Sequence, residues 1–297
     1  MKWKFVRQRF KASLSNLALT DSQITDGFGK SAGVAASLNR HYWDDSDGSK
    51  NRMVVGSWGK NTAIRPPTDI DQLHILPVSV FHDFNRKQGN VQSHLLQEVK
   101  NILLNTYGQT NMRGDGQVVV VSFNTITIEI VPAFPAQGGG FLTCDTNRGG
   151  SWKHIYPEGE MEIIATNDDA YNGNLRKLTK LLKRWKRECN VPIKSFHIEQ
   201  LVKECLDLSA YSKQDEFWFD WLIHDVLAYM IGRAGQSFWM PGSNIELIQL
   251  GDEWKSRAET AHNRAAKACE YEHDNMEVSA GLEWQKLFGS IIPISVD

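Results

Sequence analysis

Gly56-Ser57-Trp58-Gly59-Lys60-Asn61-Thr62-Ala63-Ile64-Arg65-Pro66-Pro67-Thr68-Asp69-Ile70-Asp71 joins a Gly-Ser turn to two aspartates spaced two residues apart. The run that begins there, 69–80, places Ile70, Leu73, Ile75, Leu76 and Val78 among polar residues as a strand does. Side chains of a strand alternate between faces, so Asp69 and Asp71 project together while Ile70 turns into a core. Two carboxylates this close repel each other and are costly unless a cation lies between them. Magnesium suits such a pair, because it is a hard ion bound by few carboxylates and completed by substrate phosphates.

A third acid completes the set. Glu129 lies in the apolar run Thr125-Ile-Thr-Ile-Glu-Ile-Val131, where a charge needs a reason, and its neighbours Ile128 and Ile130 face the other way. Three acids on neighbouring strands can hold two ions about 3.5–4 Å apart, the arrangement that activates an attacking hydroxyl and stabilises a leaving phosphate. Gly56 lets the backbone come close to a phosphate, and the following amides with the Ser57 hydroxyl can donate to triphosphate oxygens. Each feature alone has an ordinary reading: a solvated DxD turn, a commonplace Gly-Ser pair, an edge-strand glutamate. The order strand, Gly-Ser, short spacer, DxD and later lone acid is what points to phosphoryl chemistry.

Outward from this stretch, residues 1–20 and 21–42 carry helical apolar faces separated at Thr20-Asp21-Ser22, a break or cap. HYWDDSDGSKN is a polar loop, and Met53-Val54-Val55 a short strand ending at Gly56. A helix is expected over 91–107, strands over 118–123 and 125–131 with an end at Pro132, and a glycine turn at 138–140. Beyond about residue 166 helical spacing dominates, over 175–187, 198–206, 217–231 and 253–287. The expected fold class is α+β. A mixed-sheet core lobe with N-terminal helices spans 1–165, and a helical C-terminal lobe spans 166–297.

The bulk composition is that of an ordinary globular chain of 297 residues, 41% hydrophobic and 23% charged. Its net charge of −2 lacks the basic excess of a protein that lives on a nucleic-acid backbone. Cys144, Cys189, Cys205 and Cys269 form no CxxC pair and no zinc-ligand spacing, as in a reduced cytoplasmic protein. The basic MKWKFVRQRF start has no signal-peptide apolar stretch, and no window approaches the ~20 apolar residues of a membrane span.

At GSWGKNTAIRPPTDIDQLHIL and IEIVPAF the chain resembles the DNA polymerase β-like nucleotidyltransferases, and more narrowly the bacterial cGAS/DncV-like nucleotidyltransferases (CD-NTases), the signal synthases of CBASS anti-phage defence. The resemblance covers nearly the whole chain. The third acid is more often Asp in that family, so Glu129 is a departure. LRKLTKLLKRWKR resembles the family helix whose lysine reaches the triphosphate, here Lys183, although by spacing alone Lys183 is one charge on a solvated basic face. KSFHIEQL resembles the segment where a serine contacts phosphate and an aromatic stacks on the base, here Ser195 and Phe196, and the tail AAKACEYEHDNMEVSAGLEWQKLFG resembles the closing helix.

The resemblance implies a polymerase β-like core with the active site in the cleft between the lobes. It implies Asp69, Asp71 and Glu129 as catalytic residues and ligands of two Mg²⁺ ions, with Mn²⁺ as an alternative. Gly56, Ser57, Lys183, Ser195 and Phe196 would bind nucleotide. The substrates would be NTPs, ATP among them. A 2′- or 3′-hydroxyl would attack the α-phosphate, pyrophosphate would leave, and ring closure would give a cyclic di- or trinucleotide. A regulatory protein partner is compatible with the resemblance; stable nucleic-acid binding and membrane attachment are not expected. The competing readings are a template-independent RNA or tRNA nucleotidyl-adding enzyme, an antibiotic nucleotidyltransferase and an inactive nucleotide-binding homologue.

Overall fold

A computed structural model describes residues 2–241 and 246–296. In chain order the elements are α1 Val6–Leu17, α2 Asp21–Tyr42, β1 Arg52–Val54, α3 Gly56–Gly59, β2 Asp69–Ile75, α4 Val78–Asn85 and α5 Val91–Thr106. They continue with β3 Asn111–Asp115, β4 Val118–Ser122, β5 Thr127–Pro135, β6 Phe141–Asp145, β7 Ser151–Ile155 and α6 Pro157–Ala170. The remainder is α7 Asn174–Glu188, α8 Ser195–Leu208, α9 Phe219–Arg233, β8 Ser237–Trp239, β9 Leu247–Gln249, α10 Lys255–His273 and α11 Glu277–Phe288.

The chain separates into two units. One contains 19–61 and 67–161; the other contains 2–18, 62–66 and 162–296. This corrects the boundary expected between 165 and 166. The reason is visible in α1: its Val6, Phe10 and Leu17 are fully buried in a cluster with Leu178, Trp185, Phe219 and Trp284 from the later helices. Residues 62–66 follow it, with Ile64 in the same cluster. A sequence-local domain rule cannot foresee two excursions of this kind.

The first unit is built on a mixed sheet. Its strands run in the order β1-β2-β5-β4-β3, with β6 pairing β5 and β7. β2 and β5 are parallel; the other pairs are antiparallel. Ile70, Val119, Val121, Ile128 and Ile130 turn to one face and are buried. That face is covered by α2 and α5, which supply Val34, Leu38, Leu95, Val99 and Leu103. α2 starts where Thr20 accepts from the Gln23 amide (3.2 Å) and Gln23 accepts from the Thr20 amide (3.0 Å), a reciprocal cap that sets its direction.

β2 stops at Ile75 rather than at Val80, because Pro77 cannot continue the ladder and caps α4 instead. β5 runs past Pro132 to Pro135, against expectation; a strand tolerates proline where no ladder donor is needed. The expected glycine turn holds, with positive φ at Gly138, Gly139 and Gly140, and it leads into β6 and β7, which the sequence reading missed.

The second unit is helical, with a core that includes Phe10, Trp185, Phe219, Trp254, Trp284 and Phe288, all essentially inaccessible to solvent. Each such side chain contributes about 1.5–3 kcal/mol relative to an exposed one. The long pattern expected over 253–287 is two helices broken at Asp274-Asn275-Met276, where Asn275 takes the left-handed conformation.

Candidate active site

Asp69 and Asp71 lie on β2 and share a face, as the alternation requires; Ile70 between them is fully buried. The parallel pairing sets Asp71 opposite Glu129 and Asp69 opposite Thr127. Register partners on adjacent strands lie about 4.8 Å apart and point to the same face. Glu129 therefore turns toward the aspartates, not toward the helix-covered core. Burial, then Asp71 and Asp69, hold its carboxyl above the ordinary glutamate range, and Arg113 across the sheet acts in the opposite direction. The Thr68 hydroxyl donates to Asp69.

Gly56 opens α3 against this acid row. Its φ is +58°, and a methyl group there would lie 1.8 Å from Asp71 Oδ2. Glycine is thus needed twice, for the left-handed backbone and for the approach of the Asp71 carboxylate. Ser57 follows in the first turn of α3, where helix geometry leaves backbone amides without intrahelical acceptors. The turn is fixed from below by Trp58, which is buried, packs edge-on to Phe28 and fills the space beside Gly27. Val55 donates to the Asp71 carbonyl at 2.9 Å, tying turn and strand together. Lys60, also buried, pairs with Glu160 at 3.1 Å.

The donor set suits a hard divalent cation. Three carboxylates share one face, two of them in register, and mutual repulsion already disfavours the charge on Glu129. Among the described residues no three acidic, histidine or cysteine side chains converge closely enough to enclose an ion as they stand. What ligation requires beyond the observed arrangement is side-chain convergence, since the backbones are aligned.

The other three expected residues belong to the helical unit. Lys183 is not on a solvated face: it is buried on α7, and its ammonium donates to the Thr62 carbonyl at 2.9 Å. Ser195 starts α8 and its hydroxyl meets Lys186 Nζ at 3.3 Å. Phe196 is half-buried against Phe238, with ring centroids 5.7 Å apart. The sequence reading overlooked Thr62 and Glu199. Thr62 donates its hydroxyl to Glu199 at 3.1 Å, and both are buried. The available signal was Glu199 itself, an acid placed between Ile198 and Leu201 on an apolar helix.

Residues 5–167 match the model of the Second Messenger Oligonucleotide or Dinucleotide Synthetase domain, more than half of the chain. The chain belongs to this synthetase family. Its fold is accordingly that of a cGAS/DncV-like nucleotidyltransferase. Among curated relatives, a cyclic AMP-AMP-AMP synthase from an Acinetobacter strain is 23% identical over 261 residues, 82% of this chain and 73% of the relative. Among solved structures, Escherichia coli MS115-1 CdnC in complex with HORMA superposes with a TM-score of 0.67 at 17% identity, covering 97% of this chain and 99% of that one. Vibrio cholerae DncV, a cyclic AMP-GMP synthase with a linear intermediate bound, gives a TM-score of 0.71 at 13% identity, covering 97% and 96%. Among the described residues no helix is long and apolar enough to cross a membrane.

Proposed function

We propose that this synthetase joins NTPs, ATP among them, into a cyclic di- or trinucleotide that serves as a second messenger in anti-phage defence. In each step a 2′- or 3′-hydroxyl oxygen forms a bond to an α-phosphorus, the bond to the β-phosphate oxygen breaks, and pyrophosphate and a proton leave. The observation that carries this reading is the register of Asp71 with Glu129, beside Asp69 and against the Gly56 turn. Like charges gathered on one open face repel one another, and a bound divalent cation neutralises them and can then draw in an anionic phosphate. Asp69, Asp71 and Glu129 hold Mg²⁺, for which Mn²⁺ can substitute; bound there, the metal would neutralise triphosphate charge and lower the pKa of the attacking hydroxyl.

Gly56 and Ser57 present backbone amides and a hydroxyl to the triphosphate, and Lys183 and Ser195 add a cation and a second hydroxyl. Phe196 offers a ring face on which any base can stack, a contact that contributes about 1–3 kcal/mol. Little covalent work falls on the protein, whose task is positioning and charge neutralisation. Of the relatives named above, one is a cyclic AMP-AMP-AMP synthase and one a cyclic AMP-GMP synthase, and CdnC is complexed with HORMA, which supports a small cyclic product and leaves room for a regulatory protein partner.

The test is incubation of the purified chain with Mg²⁺ and all four NTPs, with products read by mass spectrometry. A cyclic product from NTPs alone is expected; dependence on added RNA would move the assignment to a nucleotidyl-adding enzyme. The Asp69→Asn/Asp71→Asn double variant should lose about a thousandfold or more of product formation while keeping its fold, because it removes two of the three carboxylates that hold the metal. Unchanged turnover in that variant sinks the assignment.

A further inference from the structure

We infer that Thr62 and Glu199 are positioning residues for the Lys183 ammonium, so that Glu199 acts on nucleotide binding only through Lys183; this rests on the triphosphate role proposed for Lys183 above. All three belong to the helical unit. The two polar groups of Thr62 are divided between opposite charges: its carbonyl accepts from Lys183 Nζ at 2.9 Å, and its hydroxyl donates to Glu199 Oε1 at 3.1 Å. A cation from α7 and an anion from α8 are thereby anchored on one residue of a third segment. Lys183 is 9% exposed, Thr62 1% and Glu199 4%. At such burial each charged group depends on its polar partners, and Thr62 is one that the two share.

The spacing along the helices makes this a layer beneath a second one. Ser195 and Glu199 are four residues apart on α8, and Lys183 and Lys186 three apart on α7, so each pair shares a helix face. Lys186 meets Ser195 at 3.3 Å in the outer layer, while Lys183, Thr62 and Glu199 form the inner one. A lysine has four rotatable side-chain bonds and loses much of its freedom when fixed. Here the fixing is done before any ligand arrives. Thr62 is itself immobilised. Its neighbours are held by Arg65 N–H donating to the Leu17 carbonyl (2.9 Å), by the Arg65 guanidinium on the Asn16 carbonyl (2.7 Å) and by Arg187 donating to the Pro66 carbonyl (2.8 Å).

The segment that carries Thr62 is also the spacer between the Gly56-Ser57 turn and Asp69.

A double-mutant cycle tests this, read as the dissociation constant of a non-hydrolysable ATP analogue by calorimetry in Lys183→Met, Glu199→Gln, Thr62→Val and Thr62→Ser. Glu199→Gln and Thr62→Val are each expected to weaken binding about tenfold, the scale of one charge-assisted hydrogen bond. Thr62→Ser, which keeps the hydroxyl, should stay within about twofold of the parent. In the Lys183→Met background, Glu199→Gln should add nothing, because its only route to the nucleotide is gone. Additive losses in the double variant overturn the inference and leave the triphosphate role of Lys183 standing. Unchanged binding in Lys183→Met overturns that role and the inference with it. Thermal melts of every variant check that the fold persists, and Thr62→Ser against Thr62→Val decides the matter if Glu199→Gln fails to fold.

Discussion

The two units handle charge in opposite ways. On the sheet, Asp69, Asp71 and Glu129 crowd one face, all of one sign and all partly open to solvent. In the helical unit some charged groups are interior and have polar partners there: Arg9 pairs with Glu272 at 2.7 Å, both fully buried, and Lys183 and Glu199 each bond to Thr62. Matched buried charge is architecture, because neither partner can be left alone. Like charge gathered on an open face destabilises the protein that carries it, and a cationic ligand at such a site relieves the repulsion. The difference separates the acids proposed as catalytic from the structural ones without any appeal to the relatives.

Four changes break or sharpen that contrast. The largest stability effect is expected for Arg9→Leu. Arg9 bonds Glu272 and also donates to the carbonyls of Ile294 (2.8 Å) and Glu277 (2.9 Å), so its loss strands a buried carboxylate and should remove about 3–5 kcal/mol in urea titration. Replacing both Arg9 and Glu272 by leucine should recover much of it. Gly56→Ala comes next. The new methyl would lie 1.8 Å from Asp71 Oδ2, and displacing that carboxylate by about 1 Å should cost some 10–100-fold in product formation with only a modest loss in melting temperature.

Asp220 is the exception inside the helical unit. It is fully buried, one oxygen accepts from the Trp221 amide at 2.9 Å and the other has no hydrogen-bond partner among the described residues, and burial raises its pKa to about 7. The folded state thus holds a proton that the unfolded chain releases near 4, so this group's contribution to stability is full below about pH 4 and declines as pH rises toward 7. Asp220→Asn should therefore be more stable than the parent at pH 8 by on the order of 1–3 kcal/mol, and the advantage should shrink at pH 5. Equal melting curves at the two pH values would falsify the assignment of an uncompensated carboxyl there. The smallest effect is expected for Glu129→Gln. Its raised pKa means that the ionised form is penalised at neutral pH, so the amide should raise the melting temperature by about 2 °C while product formation is lost.

Much of the candidate acid row was legible in the sequence, because it rests on strand periodicity. Alternation alone predicts that Asp69 and Asp71 share a face with Ile70 buried behind them, and that Glu129 turns away from Ile128 and Ile130. The Gly-Ser turn before them was legible as well, though the reason for glycine, the Asp71 carboxylate against its backbone, was not. Less visible were β3, β6 and β7: Asn111–Asp115 is polar and Ser151–Ile155 largely exposed, so neither carries the apolar alternation that marks a strand. Pattern reading also joined α10 and α11, whose break depends on the left-handed Asn275.

What the sequence by itself determined is therefore local: which residues alternate, which helix begins at Thr20, and which acids point together. Tertiary structure alone decided the rest. The parallel pairing of β2 with β5 sets Asp71 beside Glu129, and a shift of one residue would have sent Glu129 to the core face. The return of α1 and of residues 62–66 to the helical unit converts Lys183 from one charge among several on a basic helix into a buried cation seated on Thr62. Both decisions come from the burial of apolar surface contributed by distant parts of the chain, a quantity that no short window of sequence contains.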